Sequence, residues 1–273
     1  MPGHLFTIVG GRGFIGGALA AELRARGWDV AIATHRDAFA GRDLGHVVYA
    51  SGIAASGVAD AAYAVAAHVD GVAAILARAR FDSLLYLSST RVYGDDPITR
   101  EEQPLRVEPA RADLYRITKI AGEAVCLAHP SPHVRVARLS NVGASIRSPL
   151  FLSDVLRQAA AGGRAHVRTL PASAKDYLTV GDACRYLAEI ALRGGERLYN
   201  VAAGRNVKNG AIYAALERLG VTIDVVPEAA LAVTPAIDAA RLQREFGPPR
   251  EDVLASLPAL LAAFGAHERS SAG

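Results

Sequence analysis

The sequence predicts an α/β fold: a doubly wound parallel sheet with a small interleaved C-terminal lobe. Three observations carry this expectation. Short apolar runs alternate with helical stripes as far as Val201. A glycine-rich turn joins the first run to the first stripe. Ser51, Ser88–Ser89 and Ser140–Asn141 each follow directly on an apolar run, so in a parallel sheet they line one crevice outside the strands' carboxyl ends.

The elements follow in order. Leu5–Val9 reads as a buried strand. Gly10–Gly11–Arg12–Gly13–Phe14–Ile15–Gly16–Gly17 follows at once, and Ile15, Leu19 and Leu23 recur at helical spacing until Gly27 stops the helix. Asp29–Thr34 is a second strand. The glycines read as G-x-x-G-x-x-G from Gly10, Gly13 and Gly16, or as G-x-G-x-x-G from Gly11. Between a strand and a helix, such a turn lets a pyrophosphate approach the backbone, where helix amides and dipole meet its charge. A plain tight turn is the alternative.

Val47–Ala50 is the next strand, because Arg36–Arg42 is too short for another helix and strand. Val58, Ala62, Val65, Val69, Val72 and Leu76 form one helical stripe. Leu84–Leu87 is a strand ending in Ser88–Ser89–Thr90. Asp113–Ala128 is a helix and His133–Leu139 a strand. Farther on, Phe151–Ala161 is helical, Asp176–Val180 strand-like, and Asp182 an N-cap for a helix to Arg193. Leu198–Val201 is a strand, and Asn209 caps a helix to Leu219. Val221–Val226 is a strand. Asp238–Phe246 and Asp252–Phe264 are helices, and His267–Gly273 is a frayed tail.

Composition narrows the classes. The 273 residues are 51% hydrophobic with a formal net charge of +3, enough for a packed core and without a basic block for nucleic acid. Cys126 and Cys184 lie far apart in helical patterns and read as buried free thiols. No Cys/His cluster suggests a metal. Met1–Pro2–Gly3–His4 runs into a strand without a signal-peptide pattern, and no apolar run reads as a membrane span. A soluble cytoplasmic protein, without membrane or nucleic-acid partners, is the expectation.

One pair stands out. Tyr115 and Lys119 sit four apart in a helix, on one face and one turn apart. A lysine beside a phenol lowers its pKa and suits it to proton transfer. The spacing occurs by chance in many chains. It gains meaning because that helix follows the strand ending in Ser89 and can lay both residues across the crevice.

These segments together resemble the extended short-chain dehydrogenase/reductase superfamily, in particular the NAD-dependent epimerase/dehydratase family that acts on nucleotide sugars. The motifs are Gly10-x-x-Gly13-x-x-Gly16, Leu87–Ser88–Ser89–Thr90–Arg91–Val92–Tyr93–Gly94, Tyr115-x-x-x-Lys119, Arg138–Leu139–Ser140–Asn141–Val142, Lys175–Asp176–Tyr177 with Asp182 downstream, and Tyr199–Asn200–Val201. The resemblance implies a Rossmann-like dinucleotide-binding domain over 1–147 plus about 175–202. A small substrate-binding lobe would take 148–174 plus 203–266, leaving 267–273 as the tail. It implies Ser89, Tyr115 and Lys119 as catalytic residues. Ser89 would bond the substrate oxygen, Tyr115 would carry the proton, and Lys119 would hold the nicotinamide ribose. The cofactor would lie on Gly10, Gly11, Arg12, Gly13, Phe14, Ile15, Gly16, Thr34, His35, Arg36, Ala50, Ser51, Gly52, Leu87, Ser88, Tyr115 and Lys119. Substrate contacts would come from Ser89, Thr90, Tyr93, Asn141 and Lys175. For Tyr93 packing, for Asn141 a turn cap and for Lys175 simple solvation are the alternatives. A homodimer pairing the tyrosine helix with the preceding long helix is also implied.

Departures from the pattern matter as much. The acid expected at the end of the second strand is replaced by Thr34–His35–Arg36, and Arg12 sits in the glycine turn. This favours NADP over NAD, because arginines suit a 2′-phosphate. The family's third strand has no counterpart between Arg36 and Asp43. Thr90 and Arg91 stand where a sugar 4,6-dehydratase carries Asp–Glu, so 4-epimerisation or keto-sugar reduction is expected instead. The alternatives are a short-chain reductase of another small carbonyl compound and a non-catalytic dinucleotide-binding sensor.

Overall fold

The computed structural model describes residues 4–53, 60–108, 113–143, 146, 148 and 150–271. Among these, six parallel strands form the main sheet in the order β2-β1-β3-β4-β5-β9. They are β1 (Leu5–Val9), β2 (Asp29–Ala33), β3 (His46–Tyr49), β4 (Ser83–Ser89), β5 (Val134–Leu139) and β9 (Leu198–Val201). The parallel registers bring Gly10, Thr34, Ala50, Ser89 and Ser140 to one edge. The order reverses between β1 and β3, which makes the crevice there the natural ligand site. The sheet ends at β2, as the short Arg36–Arg42 segment predicts.

Side chains alternate across the strands, so neighbours in sequence enter different cores. Phe6, Ile8, Leu85 and Leu87 face one side with Leu19 and Leu23 of α1 (Phe14–Ala25) and Tyr186 and Leu187 of α6 (Val180–Arg193). Val9, Val47, Leu84 and Tyr86 face the other, with Val72 and Ile75 of α3 (Gly71–Arg78) and Cys126 of α4 (Leu114–Ala128). Cys126 and Cys184 are buried free thiols, each pushed up to about 12 by burial.

The long helical stripe is not one regular helix. It comprises α2 (Ala61–Val65), a π turn (Ala66–Asp70) and α3; Val58 lies outside the described residues. Loosening the helix frees carbonyls, and tyrosines satisfy two of them: Tyr49 donates to Ala67 O at 2.7 Å and Tyr86 to His68 O at 3.0 Å. Ala61–Arg78 is long and apolar enough to cross a membrane by length and composition, which the sequence reading overlooks. Here it packs on the sheet and on α4, with Ala64, Ala67, Val72 and Ile75 buried.

The second lobe has its own core: Leu152, Val155 and Leu156 of α5 (Phe151–Gly162), Ala165 and Val167 of β7 (Arg164–Thr169), and Leu257 and Phe264 of α9 (Val253–Ser271). Ile212 and Leu216 of α7 (Asn209–Glu217) join them. β7 pairs in parallel with β11 (Thr222–Ala230). A three-stranded sheet, β10 (Asn206–Lys208), β8 (Ala174–Thr179) and β6 (Asn141–Gly143), joins the lobe to the main sheet. Remaining helix α8 (Ala240–Phe246) carries Leu242 into the main core.

Several sequence expectations need correction. Thr179, not Asp182, caps α6: its Oγ1 accepts from Asp182 N at 3.2 Å. Buried in the first turn, Asp182 instead accepts from Arg185 and from the amides of Arg250 and Glu251. Asn209 is the first residue of α7, not its cap; it donates to Thr169 Oγ1 at 2.8 Å and accepts from Tyr177. α9 continues through the expected frayed segment to Ser271.

Candidate active site

β1 ends in Val9, and Gly10 then turns sharply with φ +89°. A Cβ there would lie 2.7 Å from Ser51 N, so both the left-handed backbone and the close approach require glycine. At Gly16 a Cβ would lie 2.5 Å from Gly10 O, which seats α1 on the turn. Gly13, at the cap position before α1, supplies no side-chain cap, and the first turn of the helix holds no acid. Its N-terminal amides are therefore available to an anion, and exposed Arg12 adds charge. This cradle fits the pyrophosphate of a dinucleotide.

Thr34 follows β2 in a tight turn. Its Oγ1 donates to Asp37 Oδ1 at 2.6 Å, and its amide donates to Asp37 Oδ2 at 3.1 Å. These bonds hold the Asp37 carboxyl below the usual range, with smaller help from Arg42 and Arg12. An acid thus stands at this edge after all, three residues beyond the position the sequence reading inspects. Arg36 lies over the Tyr63 ring at 5.6 Å. His35 turns inward, with Nδ1 3.0 Å from Ser51 Oγ, and burial lowers its pKa. Ala50, Ser51 and Gly52 follow β3 beside it.

The two serines ending β4 diverge. Ser88 Oγ donates to Glu123 Oε1 at 2.5 Å. Glu123 also receives a forked pair from buried Arg138, with Nη2–Oε2 at 2.7 Å. Ser89 Oγ instead caps a short 3-10 turn, Thr90–Tyr93, by accepting from Arg91 N at 3.2 Å. Tyr93 donates to Asn200 Oδ1 at 2.8 Å and accepts from Arg138 at 2.9 Å. Its hydroxyl is thus engaged within a buried network.

Asp113 caps α4 by accepting from Arg116 N, which fixes the first turn. Tyr115 then comes beside Ser89 and within the electrostatic reach of its hydroxyl. Burial raises the Tyr115 pKa, and Ser89 and then Arg91 pull against that rise. Arg91 is thus a second cation within electrostatic reach of the phenol, besides Lys119 one turn along the helix. Lys119 donates to Leu87 O at 2.8 Å and lies over the Tyr86 ring at 5.1 Å. Burial depresses its pKa to about 8, against an opposing pull from Glu123.

On the opposite wall, Lys175 in β8 is half-buried, and burial followed by Arg91 lowers its pKa. Asn141 in β6 donates to Asp176 O at 3.1 Å, tying β6 to β8. Thr90 is partly exposed at the head of the 3-10 turn. A separate cavity of about 330 Å³ lies against Tyr177, Arg205, Arg250 and Asp252, away from Tyr115. Sequence reasoning missed Arg91 as a neighbour of Tyr115, though its place two residues after Ser89 was a usable signal.

The arrangement can bind an anionic dinucleotide at the glycine turn and present two hydroxyls and a buried ammonium at the adjoining strand ends. Residues 6–202 match the NAD dependent epimerase/dehydratase family. No protein of curated function matches the chain in sequence. Among solved structures, it is similar to TunA, an NAD dependent NDP-hexosamine 5,6-dehydratase involved in tunicamycin biosynthesis (TM-score 0.77, 20% identity, covering 95% of this chain and 97% of that one). It is similar to RMD from Pseudomonas aeruginosa, complexed with NADPH (0.77, 21%, 97% and 99%). A third is UDP-glucuronic acid 4-epimerase from Bacillus cereus, in complex with UDP-glucuronic acid and NAD (0.76, 15%, 96% and 99%). The chain belongs to the NAD dependent epimerase/dehydratase family and is an NAD(P)-dependent enzyme of the extended short-chain dehydrogenase type.

Proposed function

We propose that this enzyme acts on a hydroxyl or keto carbon of a nucleotide-activated sugar, by 4-epimerisation or by reduction of a keto-sugar. The observation that carries the reading is the convergence of Ser89, at the end of β4, with Tyr115 and Lys119 of α4, whose lysine donates to Leu87 O of that strand at 2.8 Å. Bound nicotinamide would supply or accept the hydride. Tyr115 would donate its proton to the carbonyl oxygen on reduction and take it back on oxidation. Ser89 would bond the same oxygen and keep it in line with the phenol. Each such proton-transfer role is typically worth about 10²–10⁴ in rate. Lys119, which still holds its proton at neutral pH, would hold the nicotinamide ribose.

Thr90 and Arg91 offer no carboxylate for eliminating water, which argues against 4,6-dehydration. Arg91 and Lys175 together suit an anionic part of the substrate, such as the diphosphate. Arg12 and Arg36 favour NADP, while Asp37 at the same edge favours NAD by its charge; two arginines outweigh one carboxylate already bonded to Thr34. Because the sheet stops at β2, the adenine end is open on one side. That favours a cofactor that leaves each cycle, and so reduction over epimerisation. A cytoplasmic homodimer joined through α3 and α4 accompanies this reading.

The test is Tyr115→Phe, assayed across a panel of nucleotide sugars and their 4-keto forms by nicotinamide absorbance and by NMR for epimers. Turnover should vanish while NADPH affinity stays within about threefold. A variant that turns over at the wild-type rate would refute the mechanism.

A further inference from the structure

Between the Ser51–Ile53 loop and α4 stands a side chain that neither the sequence reading nor the proposed chemistry uses. His68 is fully buried in the π turn. Its Nδ1 lies 2.7 Å from Thr118 Oγ1, and that hydroxyl donates its own proton to Leu114 O at 2.8 Å. The hydroxyl must therefore accept from Nδ1–H. Nε2 is left with a lone pair, which accepts from Ile53 N at 3.2 Å. Only the neutral Nδ1–H tautomer satisfies both ends, and burial, followed by Lys119, lowers the His68 pKa to about 3. The ring also meets Tyr115 edge-on, centroids 5.6 Å apart.

Two glycines record how closely His68 is set, one against its ring and one against its backbone. A Cβ on Gly52 would lie 2.8 Å from His68 Nε2 and 3.2 Å from Lys119 Nζ. A Cβ on Gly122 would lie 2.5 Å from His68 O. The imidazole thus fills the gap between the loop that follows β3 and the helix that carries Tyr115 and Lys119. π turns are frequent at functional sites because the added residue re-aims a side chain.

We propose that His68 is a positioning residue that sets the spacing between the cofactor-facing Ser51–Ile53 loop and the Tyr115–Lys119 helix, one ring nitrogen holding each side. It rests on the proposed function for what the spacing serves, but its test does not depend on turnover. Two variants separate the ends. In His68→Asn the amide can reach Thr118 as Nδ1 does but not Ile53. In His68→Gln the amide oxygen can reach Ile53 as Nε2 does but cannot serve Thr118 from the Nδ1 position. Loss of one such buried bond corresponds to about a tenfold change in an equilibrium constant.

NADPH binding would be measured by nicotinamide fluorescence, and amide hydrogen exchange over Leu114–Lys119 by mass spectrometry, both on the full chain. His68→Asn should weaken NADPH about tenfold with α4 exchange within about threefold of wild type. His68→Gln should show the reverse. Thr118→Val, which keeps the side-chain shape, should reproduce the His68→Gln pattern even if a His68 variant fails to fold. Parallel changes in both readouts for both variants, or none in either, would overturn the proposal, as would a Thr118→Val protein with unaltered exchange. If the split appears but Tyr115→Phe still turns over, the spacing role stands and the catalytic reading falls.

Discussion

Lys119 is held in its depressed state by burial, and this gives a stability signature that needs no substrate. The perturbation is Lys119→Met, which keeps the apolar stem and removes the titrating amine. Lys119 titrates at about 8 in the folded chain against 10.5 for a free lysine. Below pH 8 both folded and unfolded chains hold the proton, and the folded state bears the full penalty of a buried charge. Between about 8 and 10.5 the unfolded chain still binds the proton while the folded chain has released it. Stability therefore rises with pH through that window. A difference of about 2.5 units corresponds to about 3 kcal/mol. Losing the bond to Leu87 O adds an offset of about 1 kcal/mol that does not depend on pH. The assay is urea unfolding of the cofactor-free proteins at intervals from about pH 7 to 10.5. The wild type should gain about 3 kcal/mol relative to the variant across that range. Buried tyrosines and Cys126 titrate with the opposite sign, but they are common to both proteins and largely cancel. Parallel curves would refute the depressed lysine.

Glu123→Gln should destabilise the chain by about 3–5 kcal/mol, because it leaves the buried Arg138 guanidinium without its carboxylate. Denaturant midpoints at constant slope read this directly, and a loss under about 1 kcal/mol would contradict it. For the cofactor preference, NADPH should bind more tightly than NADH, and Arg36→Ala should weaken NADPH about tenfold while leaving NADH nearly unchanged. Titration calorimetry with both cofactors decides it. NADH binding at least as tightly, or an unaffected NADPH affinity in the variant, would reject the NADP reading.

Much of this was legible in the residues. β1, the glycine turn and α1 were readable because a buried strand, a turn and an amphipathic helix each impose a different spacing, and all three occur within Leu5–Ala25. Tyr115 and Lys119 could be placed because Asp113 signals the helix start. β7 escaped notice because Arg164, His166 and Arg168 mask the alternation of Ala165 and Val167, the residues that face the core. β10 is only three residues long and exists through its pairing with β8. The pattern of Val65, Val69 and Val72 fits a regular helix, so nothing local announced the π turn. Only the facing side chains, Tyr49, Tyr86 and Thr118, account for it. Asp37 is hidden in the sequence because it reaches this edge only through the turn that bonds it to Thr34, three residues back.

That π turn also fixes the phase of the helix on either side of it. Each residue of an α-helix advances the azimuth by about 100°. An extra residue in a regular helix would rotate everything after it by about that angle, but the π turn Ala66–Asp70 takes up its extra residue in one wide turn. Val72 and Ile75 therefore stay against the sheet, and Gly71, where a Cβ would lie 2.3 Å from the Tyr49 hydroxyl, keeps that contact. The helix therefore consists of two segments indexed to different neighbours: one to the crevice and one to the core. Deleting one of those five residues would restore a regular spiral with α3 still in phase with the sheet, and what would be lost is the wide turn that carries His68.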